Sequence, residues 1–203
     1  MTDTAQTTTP ARLLIIGPQG SGKGTQAARI TELLSIPAIS TGDLFRAHVK
    51  NETDLGKQVK AVLDRGELVT DDMTFSLVRD RLNEGDTGNG FLLDGFPRNA
   101  AQVTLLDEFL TPRQEELTAV IELGVPREVS IDRLFQRAQE QGRTDDTEEV
   151  ISKRLEIYEK ETAPILDVYR SRGLVDTVDG VGSLEEVTAR IVGALSTRGI
   201  AAS

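Results

Sequence analysis

The stretch LLIIGPQGSGKGTQ at residues 13–26 constrains the fold of this chain more than any other part of its sequence. Residues 13–16 form a short apolar run, and a glycine-rich segment follows without a break. Beyond that segment, apolar residues recur at helical spacing at Ala27, Ile30 and Leu34. A buried strand, a glycine-rich turn and an amphipathic helix in this order are the context of a phosphate-binding loop.

The chemistry of phosphate binding explains these residue types. Glycines let the backbone wrap closely around a polyphosphate, so that successive N–H groups point inward. The helix that begins near Lys23 presents its free N–H groups and the positive end of its dipole to the same anion. Lys23 adds a point charge for the outer phosphates. A loop that only joined a strand to a helix would not need this lysine.

A divalent cation is the expected companion of such a loop. The hydroxyl residue that usually follows the lysine and binds Mg²⁺ is replaced here by Gly24, with Thr25 one place later. We therefore expect the nucleotide phosphates and water, rather than the loop itself, to hold Mg²⁺. Asp94 ends the apolar run at 91–94, where a carboxylate commonly organises the water shell of the ion. The alternative role of Asp94 is that of a helix cap or turn residue.

Composition excludes several classes of function. The 203 residues suit one α/β domain with small insertions, and the chain carries a formal net charge of −10 and no cysteine. The lack of cysteine excludes disulfides and thiolate zinc sites, and it favours a cytoplasmic location. The acidic balance argues against nucleic acid as a partner, and the sequence predicts neither a membrane span nor a signal peptide. A polyanionic substrate must therefore meet a few cations gathered at one place.

Strand and helix patterns alternate along the chain. Strands are predicted at residues 13–16, 36–40, 91–94, 119–123 and 174–178. Helices are predicted to follow the phosphate-binding loop and to begin again near residues 41, 71, 102, 127, 147 and 183. The polar stretch 51–69 is punctuated by glycines and is assigned neither a helix nor a strand. Such alternation predicts a parallel sheet that is covered on both faces, with ligands at the carboxyl ends of the strands.

Local signals predict where some helices begin and end. Thr41 or Asp43 is expected to cap the second helix, and Asp146 with Glu149 resembles a capping box. Pro164 is expected to kink a later helix or to end one of its turns.

The chain resembles the adenylate kinase family in six motifs, which follow the order of the family over almost the whole sequence: GPQGSGKGTQ, STGDLFR, GELVTDDM, DGFPRNAAQ, GRTDD and KRLEIYEKETAPILDVY. The resemblance implies a reversible transfer from Mg·ATP to AMP that gives two ADP. It implies a P-loop, three-layer α/β fold with a five-stranded parallel sheet and a monomeric state. The core would comprise 1–39, 70–135 and 147–203, with a nucleoside-monophosphate (NMP) segment at 40–69 and a short lid, free of zinc, at 136–146.

The resemblance also implies the two substrate sites and the residues that align them. The ATP site would comprise Gly20, Ser21, Gly22, Lys23, Gly24, Thr25, Arg133, Arg137 and Gly182. The AMP site would comprise Thr41, Arg46, Glu67, Leu68, Val69, Gly95, Phe96, Pro97, Arg98 and Gln102. Arg143 and Arg154 would bind phosphates of both substrates, and the catalytic set would be Lys23, Arg98, Arg137, Arg143 and Arg154. Guanidinium groups suit this task, since phosphoryl transfer needs alignment and charge neutralisation rather than a covalent intermediate.

Two alternatives remain open from the sequence. A UMP/CMP kinase would share the scaffold, and Asn99 after the GFPR motif favours it. Thr41, and Gln102 with an amide suited to an adenine edge, favour AMP instead. A P-loop ATPase or nucleotide switch would leave the second cluster of cations without a purpose, and the chain has no Asn-Lys-x-Asp motif for guanine.

Overall fold

The computed structural model describes residues 9–141 and 147–201. Within these ranges the strands are β1 (Ala11–Ile16), β2 (Ala38–Ser40), β3 (Gly90–Asp94), β4 (Ala119–Gly124) and β5 (Val175–Asp179). The α-helices are α1 (Lys23–Leu34), α2 (Thr41–Lys50), α3 (Asp54–Asp64), α4 (Asp71–Leu82), α5 (Ala100–Leu110), α6 (Arg127–Gln141), α7 (Glu148–Ile157), α8 (Ile165–Ser171) and α9 (Leu184–Thr197). A 3₁₀ turn at Thr111–Arg113 and a π-helical turn at Tyr158–Thr162 complete these elements.

The strands form one parallel sheet in the order β2-β3-β1-β4-β5. β1 is central, with Leu13 paired to Leu92 of β3 on one side and to Ala119 of β4 on the other. Because all strands run in the same direction, their carboxyl ends meet along one edge. The prediction of a five-stranded parallel sheet is confirmed.

Side chains of β1 alternate between two hydrophobic cores, as the pleat of a strand requires. Leu14 and Ile16 pack in a core with residues of α4, α5 and α8. Leu13 and Ile15 pack on the opposite face with residues of α1 and α9. The sheet is therefore covered on both faces, which confirms the predicted three-layer arrangement.

The stretch 51–69, for which no element was predicted from the sequence, contains the helix α3. Thr53 caps this helix, since its Oγ1 accepts a hydrogen bond from the amide three residues on at 3.0 Å. Leu55 and Val59 repeat at helical spacing and pack in a small separate core with Phe45 of α2. This helical spacing of apolar residues is present in the sequence, but charged residues and a glycine interrupt the apolar stripe.

Two helix caps also differ from prediction. Ser40, the last extended residue of β2, caps α2 by accepting a hydrogen bond from the amide of Asp43 at 3.3 Å. Thr41 is already helical, which frees its hydroxyl for a contact elsewhere. Thr147 caps α7, whereas the predicted capping residue Asp146 lies outside the described residues. In both cases the cap is the hydroxyl residue immediately before the helix, as the geometry of an extended N-cap requires.

Other boundaries agree with the sequence to within about two residues, the usual uncertainty of an element's end. The effect expected of Pro164 is confirmed, because α7 ends at Ile157 and α8 begins directly after the proline.

Two helical glycines make a matched test of packing between α2 and α3. A Cβ on Gly56 of α3 would lie 2.1 Å from the carbonyl oxygen of His48, whereas a Cβ on Gly193 of α9 would meet nothing within 4 Å. We expect Gly56→Ala to lower the free energy of unfolding by about 1–3 kcal/mol through this clash. Gly193→Ala should raise it by about 0.5–1 kcal/mol through helix propensity. Urea unfolding measures both, and changes of the same sign would contradict the close approach.

Candidate active site

The phosphate-binding loop lies between the end of β1 and the start of α1, at the carboxyl edge of the sheet. Gly20 and Gly22 adopt φ angles of 81° and 95°. Residues other than glycine rarely adopt this region of backbone conformation. A Cβ on Gly20 would lie 2.3 Å from the carbonyl oxygen of Ser130. Backbone conformation therefore requires glycine at both positions, and lack of space requires it at Gly20 as well.

Lys23 is the first residue of α1 and donates a hydrogen bond from Nζ to the carbonyl oxygen of Pro18 at 3.1 Å. Burial lowers the pKa of Lys23 to about 8, and the charges of Arg98 and Arg137 act in the same direction. The carboxylate of Asp94 opposes this shift and is the anion that favours the protonated amine. The four charged groups are therefore close enough to influence one another.

A cleft of about 600 Å³ opens at this edge of the sheet. It is lined by most of the residues that the sequence assigned to the two substrate sites: Gly20, Gly22, Lys23, Gly24, Thr25, Arg46, Glu67, Asp94, Gly95, Pro97, Arg98, Arg133, Arg137 and Arg154. Five of these side chains are arginines, in a chain whose net charge is −10. The fold therefore concentrates positive charge at one place.

Other predicted residues do not line this cleft: Ser21, Thr41, Leu68, Val69, Phe96, Gln102 and Gly182. Phe96 packs in the core beneath α4 and α5, and Val69 packs in the small core beside α3. Ser21 is 1% exposed, so only its backbone can serve the phosphate-binding loop. Arg143 lies outside the described residues.

The loop after β3 holds Arg98 in a fixed position. Arg98 Nε donates a hydrogen bond to the carbonyl oxygen of Gly95 at 2.8 Å, and Thr41 Oγ1 donates to the same oxygen at 3.0 Å. Gly95 has a φ of 84°, and a Cβ there would lie 2.6 Å from Thr41 Oγ1. Burial lowers the pKa of Arg98, and the charges of Arg154 and Arg46 add to this effect.

Gln102 supports the same loop from α5. Its Oε1 accepts a hydrogen bond from the amide of Arg98 at 2.8 Å, and its Nε2 donates to Asp71 Oδ1 at 2.9 Å. Asn99 caps α5 and also donates to Asp71 Oδ1 at 2.9 Å. An amide has two N–H donors and two acceptor lone pairs, so one of each is left on Gln102.

Arg133 connects the phosphate-binding loop to the turn after β5. Its Nη1 donates to the carbonyl oxygen of Ser21, and its Nη2 donates to that of Gly180, both at 3.1 Å. At the level of sequence, Arg133 is supported by its i, i+4 relation to Arg137 and by its match to the family pattern. The structure adds that this guanidinium spans two separate segments of the site.

The segment that follows α3 contacts α7. Arg154 Nη2 lies 3.5 Å from the carbonyl oxygen of Leu63, and Lys153 forms an ion pair with Glu67 at 2.8 Å. The hydrogen bonds from Arg65 and Lys153 lower the pKa of Glu67 to about 2. Arg154 therefore reaches the cleft from the same helix face that meets residues 63–67.

Sequence reasoning missed Tyr158 and Thr162, which belong to the π-helical turn and line the cleft. Thr162 Oγ1 donates a hydrogen bond to the carbonyl oxygen of Arg98 at 2.8 Å. Burial raises the pKa of Tyr158 to about 12, so its hydroxyl stays protonated at neutral pH. Both residues lie within the motif KRLEIYEKETAPILDVY, and Pro164 predicted an irregularity there, but neither signal assigned them a role.

The side chains that could act as metal ligands in the cleft are few, and this limits how a metal ion can bind. The described residues hold no group of three or more His, Cys, Asp or Glu side chains that could bind a metal by themselves. Asp94 lies at the end of β3 close to α1, because a Cβ on Gly24 would be 3.9 Å from its Oδ2. A single carboxylate beside a phosphate-binding loop fits an ion whose remaining ligands are phosphate oxygens and water.

Known proteins are similar to this chain in sequence over most of its length. The adenylate kinase family model matches residues 15–174. An adenylate kinase of Bifidobacterium longum is 55% identical over 89% of this chain and 97% of its own length. Those of Leifsonia xyli and Thermobifida fusca are 55% and 51% identical, over 93% and 92% of this chain and 94% and 99% of their own lengths. The chain belongs to the adenylate kinase family.

Membership of this family makes the chain a phosphotransferase that acts on a nucleoside monophosphate. The comparisons do not favour the UMP/CMP kinase or the nucleotide switch. Among the described residues, no helix is long and apolar enough to cross a membrane.

The pKa of Lys23 leads to a prediction for the pH dependence of activity. In the free enzyme Lys23 loses its proton as the pH rises through about 8, and with it the charge that attracts the outer phosphates. We expect kcat/KM for ATP to fall above this pH, because kcat/KM reports the pKa values of the free enzyme.

Lys23→Arg is the matched variant for this prediction. Arginine stays protonated throughout the range, so this variant should be less active at neutral pH but show no decline near pH 8. Steady-state kinetics between pH 6 and 10 measure both profiles. An unchanged decline in Lys23→Arg would assign the titration to another group.

Proposed function

We propose that the enzyme transfers the terminal phosphoryl group of ATP to AMP in a reversible reaction that gives two ADP. One observation carries this proposal: a phosphate-binding loop with Lys23 and a separate cationic group with Arg46 and Arg98 line the same cleft. A hydrolase that used water as its acceptor would need only the first of these. Two anion-binding surfaces in one cleft suit two phosphorylated substrates.

The donor side of the cleft binds ATP. The amides of residues 20–25 and the ammonium of Lys23 take the phosphates, and Arg137 lines the same cleft. Arg133 lines the same cleft, and the turn at Gly182 receives the base, as the resemblance to the family implies. The hydrogen bonds of Arg133 support this role, because they hold the turn against the phosphate-binding loop.

The acceptor side binds AMP between α2, residues 67–69 and the loop after β3. Arg46 and Arg98 take its phosphate, while the backbone of Glu67, Leu68 and Val69 and the segment 95–98 enclose the nucleoside. Thr41 acts here through Gly95. Gln102 is assigned to the adenine by the resemblance: its side chain is buried beneath the loop, and its bonds to Arg98 and Asp71 leave one donor and one acceptor for that contact.

Transfer depends on alignment and on neutralising the charge of the moving phosphoryl group. Arg98, Arg137 and Arg154 line one cleft, and Arg143 is proposed to join them from the lid. Each guanidinium can donate two hydrogen bonds in a fixed plane, which suits the equatorial oxygens of the phosphoryl group. An arginine at this position can contribute about 10³–10⁵ in rate.

Mg²⁺ is the cofactor that the residues of the cleft fit. Its chemistry there would be to neutralise negative charge on the phosphates of ATP. Asp94 would hold it through water, and the same carboxylate favours the protonated form of Lys23 against the effect of burial on its pKa.

Closure over both substrates would exclude water, which would otherwise compete with AMP. We propose residues 40–69 and 136–146 as the two parts that move over a core of 1–39, 70–135 and 147–203. The separate small core of α2 and α3 supports the first assignment, because this segment packs largely on itself. Cytoplasmic location and a monomeric state remain predictions from the sequence, which cell fractionation and gel filtration test.

The substrate assignment is tested by nucleotide chromatography. The enzyme is supplied with Mg·ATP and one of AMP, CMP, UMP or GMP. We expect rapid formation of ADP from AMP alone, and its loss by at least about a hundredfold in Lys23→Ala and Arg98→Ala, since both remove charge from the reacting phosphates.

Each other result has a distinct meaning. Preferential conversion of UMP or CMP would retain the mechanism and overturn the assignment of AMP. Hydrolysis of ATP without transfer to any monophosphate would overturn the proposed function itself.

A second prediction concerns Asp94. Asp94→Asn should raise the Mg²⁺ concentration that gives half-maximal activity by about tenfold, because the variant loses the carboxylate that orders the water shell of the ion. Asp72→Asn, on the exposed first turn of α4, is the matched control and should leave this concentration unchanged. An unaltered Mg²⁺ dependence in Asp94→Asn would remove Asp94 from the metal site.

A further inference from the structure

The turn after β5 has an unusual set of hydrogen bonds. Three consecutive carbonyl oxygens, those of residues 179–181, accept hydrogen bonds from two guanidinium groups. Arg190 Nη1 donates to the oxygens of Asp179 and Val181 at 2.9 and 2.6 Å. Arg133 Nη2 donates to the oxygen between them, that of Gly180, at 3.1 Å. The turn is thus held from both sides by charged donors.

Arg190 reaches the turn from the second turn of α9. Its side chain is 40% exposed, so it contributes little to the hydrophobic core. Its nearest carboxylate is that of Asp179, but the two groups are 3.9 Å apart, which is too far for a hydrogen bond. The carbonyl oxygens are therefore the close partners of this guanidinium, and the turn is what the side chain holds.

Gly182 lies directly against the same guanidinium. Its φ is 131°, and a Cβ there would lie 2.8 Å from Glu186 Oε2 and 3.4 Å from Arg190 Nη2. Glu186 completes a capping box with Ser183 and so fixes the start of α9. The backbone of residues 179–182 therefore rests on side chains of the first two turns of α9.

We infer that Arg190 is a positioning residue for the donor nucleotide, which fixes the turn 179–182 in the conformation that receives the base of ATP. The inference rests on the proposed function, which assigns Gly182 to the ATP site. Arg133 holds the turn to the phosphate-binding loop, and Arg190 holds it to α9. Without Arg190, two of the three carbonyl oxygens lose their charged donor, and the surface for the base loses its fixed shape.

The test compares the affinities for ATP and for inorganic tripolyphosphate, and so separates the contribution of the base to binding from that of the phosphates. Tripolyphosphate binds to the phosphate-binding loop but offers no base to the turn. In Arg190→Met, which keeps the apolar stem, we expect the affinity for ATP to fall about three- to tenfold. The affinity for tripolyphosphate should stay at the wild-type value, and so should kcat and the KM for AMP.

Arg190→Lys provides a conservative rescue. Because a single nitrogen of Arg190 makes both hydrogen bonds, one ammonium group can replace it. We expect this variant to regain most of the affinity for ATP. Arg190→Gln has a shorter side chain whose amide does not reach the turn, so it should behave like Arg190→Met. It serves as a second variant if Arg190→Met does not fold.

Arg198, the residue that caps the C-terminus of α9, is the matched control. It donates to the carbonyl oxygen of Gly173 at 3.0 Å and pairs with Asp176, at the opposite end of β5 from the site. Arg198→Met should bind ATP and tripolyphosphate as the wild type does. Thermal unfolding of all variants reports any general loss of stability.

The outcomes distinguish the inference from the proposed function. Wild-type affinity for ATP in Arg190→Met, or an equal loss for ATP and tripolyphosphate, would overturn the positioning role. An equal loss in Arg198→Met would also overturn it, because the effect would then be one of general stability. A wild-type enzyme that forms no ADP from ATP and AMP would instead overturn the proposed function.

Discussion

Like charges gathered in one cleft repel one another, and the fold must hold them together without their ligand. Lys23, Arg98 and Arg137 face this problem directly, since the arginine charges help to lower the pKa of Lys23. The carboxylate of Asp94 opposes this repulsion for both Lys23 and Arg98. Backbone carbonyl oxygens add hydrogen bonds, from Gly95 to Arg98 and from Pro18 to Lys23. A polyphosphate that enters the cleft replaces this repulsion with attraction, so its binding should also favour the folded state.

The parallel sheet makes this concentration of charge possible. The ends of β1 and β3 are adjacent, because Ile15 pairs with Asp94 across the two strands. The phosphate-binding loop and the loop that carries Arg98 therefore begin side by side, although about 80 residues separate them in the sequence. Local chain geometry and strand order together place the two anion-binding surfaces, and neither alone would do so.

Much of the fold could be predicted from the sequence, because apolar periodicity and loop chemistry act over short distances. The five strands, the three layers and the phosphate-binding loop belong to this class. The helix α3 was missed because Gly56 and several charges interrupt its apolar stripe. That glycine is explained by a tertiary contact, the close approach of His48 in α2, which no local pattern reveals.

The candidate site also has a part that could be predicted from the sequence and a part that could not. Residues that line the cleft, such as Lys23 and Arg98, lie in motifs whose spacing indicated their chemistry. The supporting contacts depend on pairs that are distant in sequence, such as Thr162 with Arg98 and Gln102 with Asp71. A sequence does not show which carbonyl or carboxylate will stand beside a given side chain, so these partners could be found only in three dimensions.

The bridge made by Arg133 has a consequence for how much order ATP must impose when it binds. The guanidinium joins the phosphate-binding loop at Ser21 to the turn at Gly180, so the two surfaces hold their spacing before any nucleotide is present. Binding to parts that are already ordered loses little conformational entropy, and more of the interaction energy is then retained as affinity. Any conformational entropy that is lost when the cleft closes is therefore lost by segments outside this bridge.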